Sequence, residues 1–519
     1  MKSSTSTQRI GARPIRLAIL LFGVFFASSA YANDSLFSGF WAEVSASQII
    51  GTDGLWQDLS AGIGYDSALT GLSWIAVLSA QSDGKYDSFF DEEHVGGFAY
   101  FLETGGITYT SEFLTLRAGR FPHVDVVENP YSLFVSSLAT PAFLYEIDYR
   151  GNWLRFLTRS VELTRNSAND FPDRSIVFKT LAITQPFWEF GFQDAIVAVA
   201  PSAPPGDGSG PVFVPEYFFN PIPAVFTQYT LGGGNSPWVQ KINHNSLMGF
   251  YGLMRGETPQ AMEWDALAQW LVDDVNLNAI VNPDSPHQNP NKWAWLIAAR
   301  LTTPYGAFRF SHAGAHMYTF QTSGNRRYEY TYYPDVVFPR GGVLDPIDYR
   351  DNYFGFYLGE NTAAFKLDWE WALPRLPVPG AELHLAGAAS YTVSGSKSPS
   401  NPWHEYKKWD EPYPDRKYST RFLDESPLEH GALLTLEAEW RQPLGPGRYT
   451  VGLRADFGHW WNVLRLTPVV IDGEPVERAE SGPGTRFPGA DSVEIYRPSS
   501  NENYGLAQIE IYASYRFSR

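Results

Sequence analysis

The stretch NPWHEYKKWDEPYPDRKY sets Trp403, Tyr406, Trp409, Tyr413 and Tyr418 among His404, Glu405, Lys407, Lys408, Asp410, Glu411, Asp415, Arg416 and Lys417. Flat aromatic rings between charged groups are the tools of carbohydrate recognition. A ring covers the apolar C–H face of a sugar while carboxylates and bases bond its hydroxyls. A second stretch, RRYEYTYYPD, adds Tyr330 and Tyr332 to the same type of surface. The composition serves two other purposes equally well, packing of loops on one another and a membrane-interface girdle, so the residue types leave all three uses open.

Other chemistry is sparse. Asp273, Asp274, Asn276, Asn278, Asn282 and Asp284 offer oxygen ligands, but their spacing matches no EF-hand loop. His312 and His316 share a face and lack a third ligand for a metal. The chain contains no GxSxG, HExxH or phosphate-binding loop. With no cysteine there is no thiolate metal site and no disulfide framework. Neither catalysis nor a cofactor is expected.

These residues are carried by alternating strands. In one segment Trp264, Ala266, Ala268, Trp270 and Val272 face one way and Glu263, Asp265 and Gln269 the other. The sorting recurs with Phe365, Leu367, Trp369 and Trp371 against Lys366, Asp368 and Glu370, and with Leu434, Leu436, Ala438 and Trp440 against Glu437, Glu439 and Arg441. It recurs again with Ile509, Ile511, Ala513, Tyr515 and Phe517 against Gln508, Glu510, Tyr512, Ser514 and Arg516. Each segment has the length of a tilted membrane-spanning strand, about 9 to 11 residues. Aromatic residues reach 16% of the chain, including 17 Trp, the composition of a barrel with a girdle at each membrane interface.

The connections separate such a barrel from a soluble sandwich. From Ser246 onward they alternate between tight turns and long segments, as outer-membrane barrels do with brief periplasmic turns and extended extracellular loops. The pattern predicts strands at 38–49, 55–66, 71–82, 95–109, 113–121, 143–150, 153–163, 174–184, 188–199, 246–256, 261–272, 292–301, 307–320, 363–372, 381–393, 431–442, 448–458 and 505–517. The fold class expected is therefore all-β, a transmembrane antiparallel outer-membrane barrel of about 18 strands, within a range of roughly 16 to 20. The last strand is expected to close on the first near Phe40 to Ile49, because an open edge in lipid leaves unpaired backbone groups.

Lys2, Arg9, Arg13 and Arg16 before an apolar run and the sequence Ala30-Tyr31-Ala32 read as a cleaved export signal over 1–32, followed by a single barrel domain over 33–519. The formal charge of −17 excludes nucleic acid as a partner. The expected location is the bacterial outer membrane, with its lipid and lipopolysaccharide, the barrel assembly machinery and an exported polysaccharide as partners.

The inward faces carry Arg117, Glu263, Asp265, Arg300, Asp368, Glu370, Glu437, Glu439, Arg454 and Arg516. They either pair across the wall or set the selectivity of a water-filled pore, that of a porin. Two segments are candidate plugs: residues 201–235, rich in Pro, Phe and Tyr, and VVENPYSLFVSSLATPAF after Arg120, with a short helix expected at Tyr131 to Leu138. The first is expected either in the lumen or across a neighbouring subunit.

The stretches FFNPIPAVFTQY (Phe218 to Tyr229), NSLMGFYGLMR (Asn245 to Arg255), AQWLVDD (Ala268 to Asp274) and FYLGENTAAFKLDWEW (Phe356 to Trp371) resemble the capsule-assembly Wzi-like outer-membrane proteins. That resemblance implies an 18-stranded barrel with plugging loops. It also implies a surface lectin that holds exported polysaccharide without enzymatic activity.

Overall fold

The computed structural model describes residues 39–52, 54–67, 69–82, 98–164, 173–200, 212–231, 244–275, 281, 290–321, 329–332, 353–373, 376, 378–395, 422–424, 426–463, 465–468, 470–471, 474–475, 477–479, 492–494, 496–499 and 503–518. The export signal expected over 1–32 lies outside them.

Seventeen strands follow one another: β1 (Phe40–Gly51), β2 (Gly54–Asp66), β3 (Leu72–Gln81), β4 (Ala99–Thr110), β5 (Leu114–Pro122), β6 (Pro141–Arg150), β7 (Leu154–Thr164), β8 (Arg174–Gln185), β9 (Trp188–Val199), β10 (Asn245–Glu257), β11 (Glu263–Asp274), β12 (Lys292–Thr303), β13 (Gly306–Ala315), β14 (Thr362–Leu373), β15 (Glu382–Ser394), β16 (Glu429–Leu444) and β17 (Gly447–Trp461). A closing strand, Tyr504–Ser518, completes an 18-stranded antiparallel sheet. Before it, three short ribbons pair Arg465–Pro468 with Tyr496–Ser499, Val470–Ile471 with Glu474–Pro475, and Glu477–Ala479 with Ser492–Glu494.

The sheet is a cylinder. The closing strand pairs with β17 on one side, Ile511 opposite Leu453, and with β1 on the other, Tyr515 opposite Val44. Neither edge is left open, which is the condition for a sheet to cross lipid. Every predicted strand overlaps an observed one. The interval 307–320 is shorter than expected: β13 stops at Ala315, and Met317, Tyr318 and Phe320 are buried in a turn.

The outer face is apolar and solvent-exposed, with Leu181, Ile183, Phe190, Phe250, Ile297, Leu367, Leu436, Leu453, Ile509 and Ile511 around the circumference. Exposed Trp153, Phe187, Trp188, Tyr305 and Tyr449 ring the end with the short turns, and Tyr100, Phe143, Trp270, Trp293, Tyr391 and Trp461 ring the other. This is the girdled, closed barrel of the bacterial outer membrane. One connection departs from the length rule. Only Thr52 and Asp53 join β1 to β2 at the end where the other connections are long.

The inner face is divided. On β14, β16 and the closing strand it is polar, as expected. From β6 to β13 it carries a dry apolar patch, with Leu144, Leu157, Val161, Ile176, Phe178, Val197, Leu247, Leu267, Leu271, Leu296 and Ala313 buried in one cluster, beside polar residues such as Glu146, Arg159, Gln193 and Gln269. β12 is accordingly apolar on both faces, Leu296 and Ala298 inward and Trp293 and Ile297 outward. Something other than water fills that side.

The closed wall makes a quantitative expectation. Ile511→Arg puts a charge on the lipid face near the middle of the closing strand and should destabilise the barrel by about 2–4 kcal/mol. Urea titration of protein refolded into bilayers measures this, with Glu510→Gln on the inner face as the mild control.

Candidate functional site

The filler is the β5–β6 connection, residues 123–140. Tyr131, Leu133, Phe134 and Val135 are fully buried in the cluster formed by the inner wall. The segment is a chain of turns and bends, and the helix expected at Tyr131 to Leu138 does not form. The reason lies in its main-chain amides, of which those of Tyr131, Leu133, Phe134 and Val135 donate to side chains rather than to carbonyls one turn back. Asn129 Oδ1 accepts from Tyr131 N at 2.9 Å, and its Nδ2 donates to Ser311 Oγ at 3.1 Å. Leu133 N donates to Gln269 Oε1 at 2.9 Å.

Asp125 is the hub of this plug. Its Oδ2 accepts from Phe134 N (3.2 Å), Val135 N (3.3 Å) and Gln269 Nε2 (2.9 Å), and its Oδ1 accepts from Gln193 Nε2 (2.8 Å). Gln269 Nε2 also donates to Gln193 Oε1 at 2.7 Å. A carboxylate buried to this degree is tolerable only with such donors around it. Two of them come from wall strands β9 and β11, so the charge ties the plug to the cylinder. Sequence reasoning missed Asp125 and Gln193 and placed Gln269 only on an inner face. The available signal was an acid beside a run of apolar residues that had to be buried.

The β13–β14 connection supplies the second layer. Tyr330 N donates to Phe320 O at 3.0 Å, Phe354 N to Tyr330 O at 3.1 Å, and Ser136 N to Phe354 O at 2.7 Å. Tyr330 Oη donates to Phe134 O at 2.6 Å. Gly355 is required here, because a Cβ at that position would lie 2.2 Å from Leu133 O. Tyr330 and Tyr332, expected on a glycan-facing loop, are buried at 0% and 2% exposure and present no ring face to solvent. Their hydroxyls are drawn into the plug by polar partners, and burial of the rings follows.

A charged network locks the rim of the plug. Glu146 on β6 receives Arg117 Nε at 2.7 Å and Nη2 at 2.8 Å, and Arg159 Nε at 2.5 Å. Arg159 Nη1 donates to Val124 O at 2.9 Å and reaches His123 Nδ1 at 3.5 Å. That nitrogen is therefore the acceptor, and Nε2–H points to Tyr332 Oη at 3.1 Å. Burial, reinforced by the guanidinium groups of Arg159 and Arg117, holds the His123 imidazole well below its usual value, and Glu146 opposes this only in part.

The other expected lining residues divide by position. Asp368 pairs with Lys366 at 2.7 Å, Arg454 with Asp456 at 3.0 Å, Arg516 with Glu43 at 3.9 Å, and Glu439 with Arg441. Tyr512 Oη lies 2.7 Å from Glu437 Oε1 and 3.0 Å from Glu439 Oε2, sharing one proton between two carboxylates. Asp265 sits opposite both Arg255 and Arg300, Glu263 opposite Glu257, and Glu370 between Ala307 and Ala386. On the arc from β14 through the closing strand to β1, Lys366, Asp368, Glu370, Glu437, Glu439, Arg454, Arg516 and Glu43 are partly or fully accessible, and Asp456 is buried.

Trp403, Tyr406, Trp409 and Tyr413 lie outside the described residues. His312 and His316 both pack on Trp295, but His312 Nε2 accepts from Trp295 Nε1 at 3.2 Å and its Nδ1 lies 3.0 Å from Ala364 O, so neither nitrogen is open to a metal. Asp273 is committed to Lys292 at 2.8 Å, while Asn276, Asn278, Asn282 and Asp284 fall outside the described residues. Among the described residues no group of three or more His, Asp or Glu could hold a metal ion.

No family model and no curated protein sequence matches the chain. Among solved structures it is similar to OccD3 (OpdP) of Pseudomonas aeruginosa, with 8% identity over 93% of this chain and 92% of that one and a TM-score of 0.44. It is similar to OccAB2 of Acinetobacter baumannii, with 9% identity over 93% and 99% and a TM-score of 0.44. It is also similar to Wzi of Escherichia coli, described as an outer-membrane protein involved in group 1 capsule assembly and a carbohydrate-binding β-barrel, with 11% identity over 98% and 89% and a TM-score of 0.44.

Two expectations follow for the plug. Asp125→Ala strands two main-chain amides and two glutamine amides, each worth about 1–3 kcal/mol when buried without a partner. Hydrogen exchange of residues 123–140 should then rise by at least about tenfold while the wall strands stay protected. Below the ordinary histidine pKa of about 6.5, a released plug binds a proton that the docked plug excludes. Docking therefore weakens as pH falls through that point and is unaffected above it. Exchange corrected for its intrinsic rate at pH 7.5 and 5.0 measures the effect, and His123→Gln should abolish it.

Proposed function

We propose that this barrel is a plugged surface protein that retains exported polysaccharide through its extracellular loops. The observation that carries the reading is the plug. An apolar segment pinned at Asp125 and covered by the β13–β14 connection occupies the lumen from β5 to β14. An open diffusion channel needs a continuous wetted path, and a buried, hydrogen-bonded core removes that path along this side. The aromatic and charged stretch containing Trp403, Tyr406, Trp409 and Tyr413 supplies the ligand chemistry.

A second reading has its own observation. Along β14 to β17, the closing strand and β1 to β4, most inward charged side chains remain partly accessible, and the acids Glu43, Glu103, Asp368, Glu370, Glu382, Glu437, Glu439, Asp456 and Glu510 outnumber Lys366, Arg441, Arg448, Arg454 and Arg516. A passage on that arc would favour cations.

Planar-bilayer recording of the refolded protein separates the two. The plugged reading expects silence, with steps of current appearing in Asp125→Ala; steady cation-selective current in the unaltered protein would overturn it in favour of the channel. Host surface polysaccharide should bind the unaltered protein. Trp403→Ala with Trp409→Ala removes two stacking rings at roughly 1–2 kcal/mol each and should weaken binding about tenfold or more.

A further inference from the structure

Residues 212–231 belong to the connection between β9 and β10, and they lie neither in the lumen nor free in solvent. Outward residues of the wall beneath them identify their position. On β7, β8 and β9, Arg159, Ile176, Phe178, Gln193, Ala195 and Val197 face the plug, so their neighbours Thr158, Val177, Lys179, Asp194, Ile196 and Ala198 point away from it. All six are nevertheless buried. Tyr217 and Ala224 pack on Val177, Ile196 and Ala198, and Phe213 lies against the outward Tyr145 with ring centroids 5.7 Å apart. Its described residues form a strap across the outside of the cylinder, and of the two positions expected for residues 201–235, the lumen or a neighbouring subunit, the lumenal one is corrected for them.

The polarity of this arrangement is inverted. Lys179 and Asp194 sit on the outer face, 3.4 Å apart, where charges in contact with acyl chains are destabilising. The strap turns its polar backbone toward them. Lys179 Nζ donates to Asn220 O at 3.2 Å and Ile222 O at 2.7 Å, Ala224 N donates to Asp194 Oδ2 at 2.8 Å, and Thr158 Oγ1 donates to Phe218 O at 2.9 Å. Outward it shows Phe219, Ile222 and Phe226, which are 63%, 52% and 63% exposed. Its sequence contains no Lys or Arg and a single acid, Glu216.

The hydrogen-bond accounting matches an apolar surrounding. Pro215, Pro221 and Pro223 have no amide proton to satisfy. Tyr217 N and Phe218 N both donate to Val214 O at 3.1 Å, Phe226 N donates to Pro223 O at 3.1 Å, and Ile222 N to Asn220 Oδ1 at 3.0 Å. These bonds meet part of the demand that hydrocarbon places on irregular backbone, whose polar groups need partners within the protein. On the same arc, β8, β9 and β10 expose Leu181, Ile183, Phe190 and Phe250, so the apolar face of the strap continues the lipid-facing belt.

We propose that residues 212–231 form a membrane-embedded strap whose Phe219, Ile222 and Phe226 face contacts the acyl chains of the outer leaflet, replacing a patch of wall made polar by Lys179 and Asp194. The chain has no cysteine, so Ile222→Cys and Phe226→Cys each accept a single nitroxide label. In phosphatidylethanolamine–phosphatidylglycerol vesicles the labels should collide with oxygen and avoid a water-soluble nickel chelate, matching Leu181→Cys in the belt. Nickel accessibility of a surface loop would overturn the proposal. So would spin–spin broadening that disappears on dilution with unlabelled protein, because a second copy would then cover the face.

A rescue experiment tests the same idea without labels. Replacing 212–231 by a short Gly-Ser linker should cut the folded yield in vesicles by about tenfold or more. Adding Lys179→Leu and Asp194→Leu should restore most of it, since the wall beneath then suits lipid. A deletion with no effect, or one that the leucine pair leaves unrescued, would count against the strap as a cover for charge.

Discussion

A peptide group in hydrocarbon has no water to bond, so every N–H and C=O of a membrane-spanning segment needs a partner within the protein. In this chain that constraint is met by the pairing of β1 with the closing strand, Val44 opposite Tyr515. Once the cylinder closes, side-chain alternation sorts each strand into a lipid face and a lumen face, and the diameter follows from 18 strands. The plug, the strap and the wet arc are all consequences of what the sequence places on those two faces.

Two regions break the simple rule of apolar outside and polar inside, and they share an arc. From β6 to β13 the inner face carries a large apolar patch, and the β5–β6 and β13–β14 connections enter the lumen to cover it. On β7 to β9 the outer face turns polar at Thr158, Lys179 and Asp194, and part of the β9–β10 connection lies over it. In each case a connection supplies what the wall lacks. Apolar side chains enter where water would otherwise wet Leu144 and Phe178, and backbone carbonyls cross where lipid would otherwise meet Lys179.

The charges that remain differ in what they can do. Asp125 is held by four donors and fixes a position, whereas Glu437, Glu439, Arg454 and Arg516 stay partly accessible on the opposite arc. Rigid packing on one side and hydrated charge on the other give the lumen an asymmetric interior, and the functional question turns on which side governs passage.

Alternation and connection length were sufficient, from sequence alone, to specify the barrel, its strand number and its closure, because a period of two and a fixed membrane thickness act on each strand locally. The alternation that sets Asp265, Asp368, Glu437 and Arg516 opposite the apolar positions of their strands was legible for the same reason. The destinations of the connections were not. FFNPIPAVFTQY and VVENPYSLFVSSLATPAF are both aromatic and proline-containing, yet residues from one lie outside the wall and residues from the other lie inside it. Their placement depends on partners distant in sequence, Lys179 with Asp194 for the first and Gln193 with Gln269 for the second, which only the closed cylinder brings within reach. Tyr330 and Tyr332 fall under the same rule: their residue type suits a sugar or a buried core equally, and tertiary packing decided for the core.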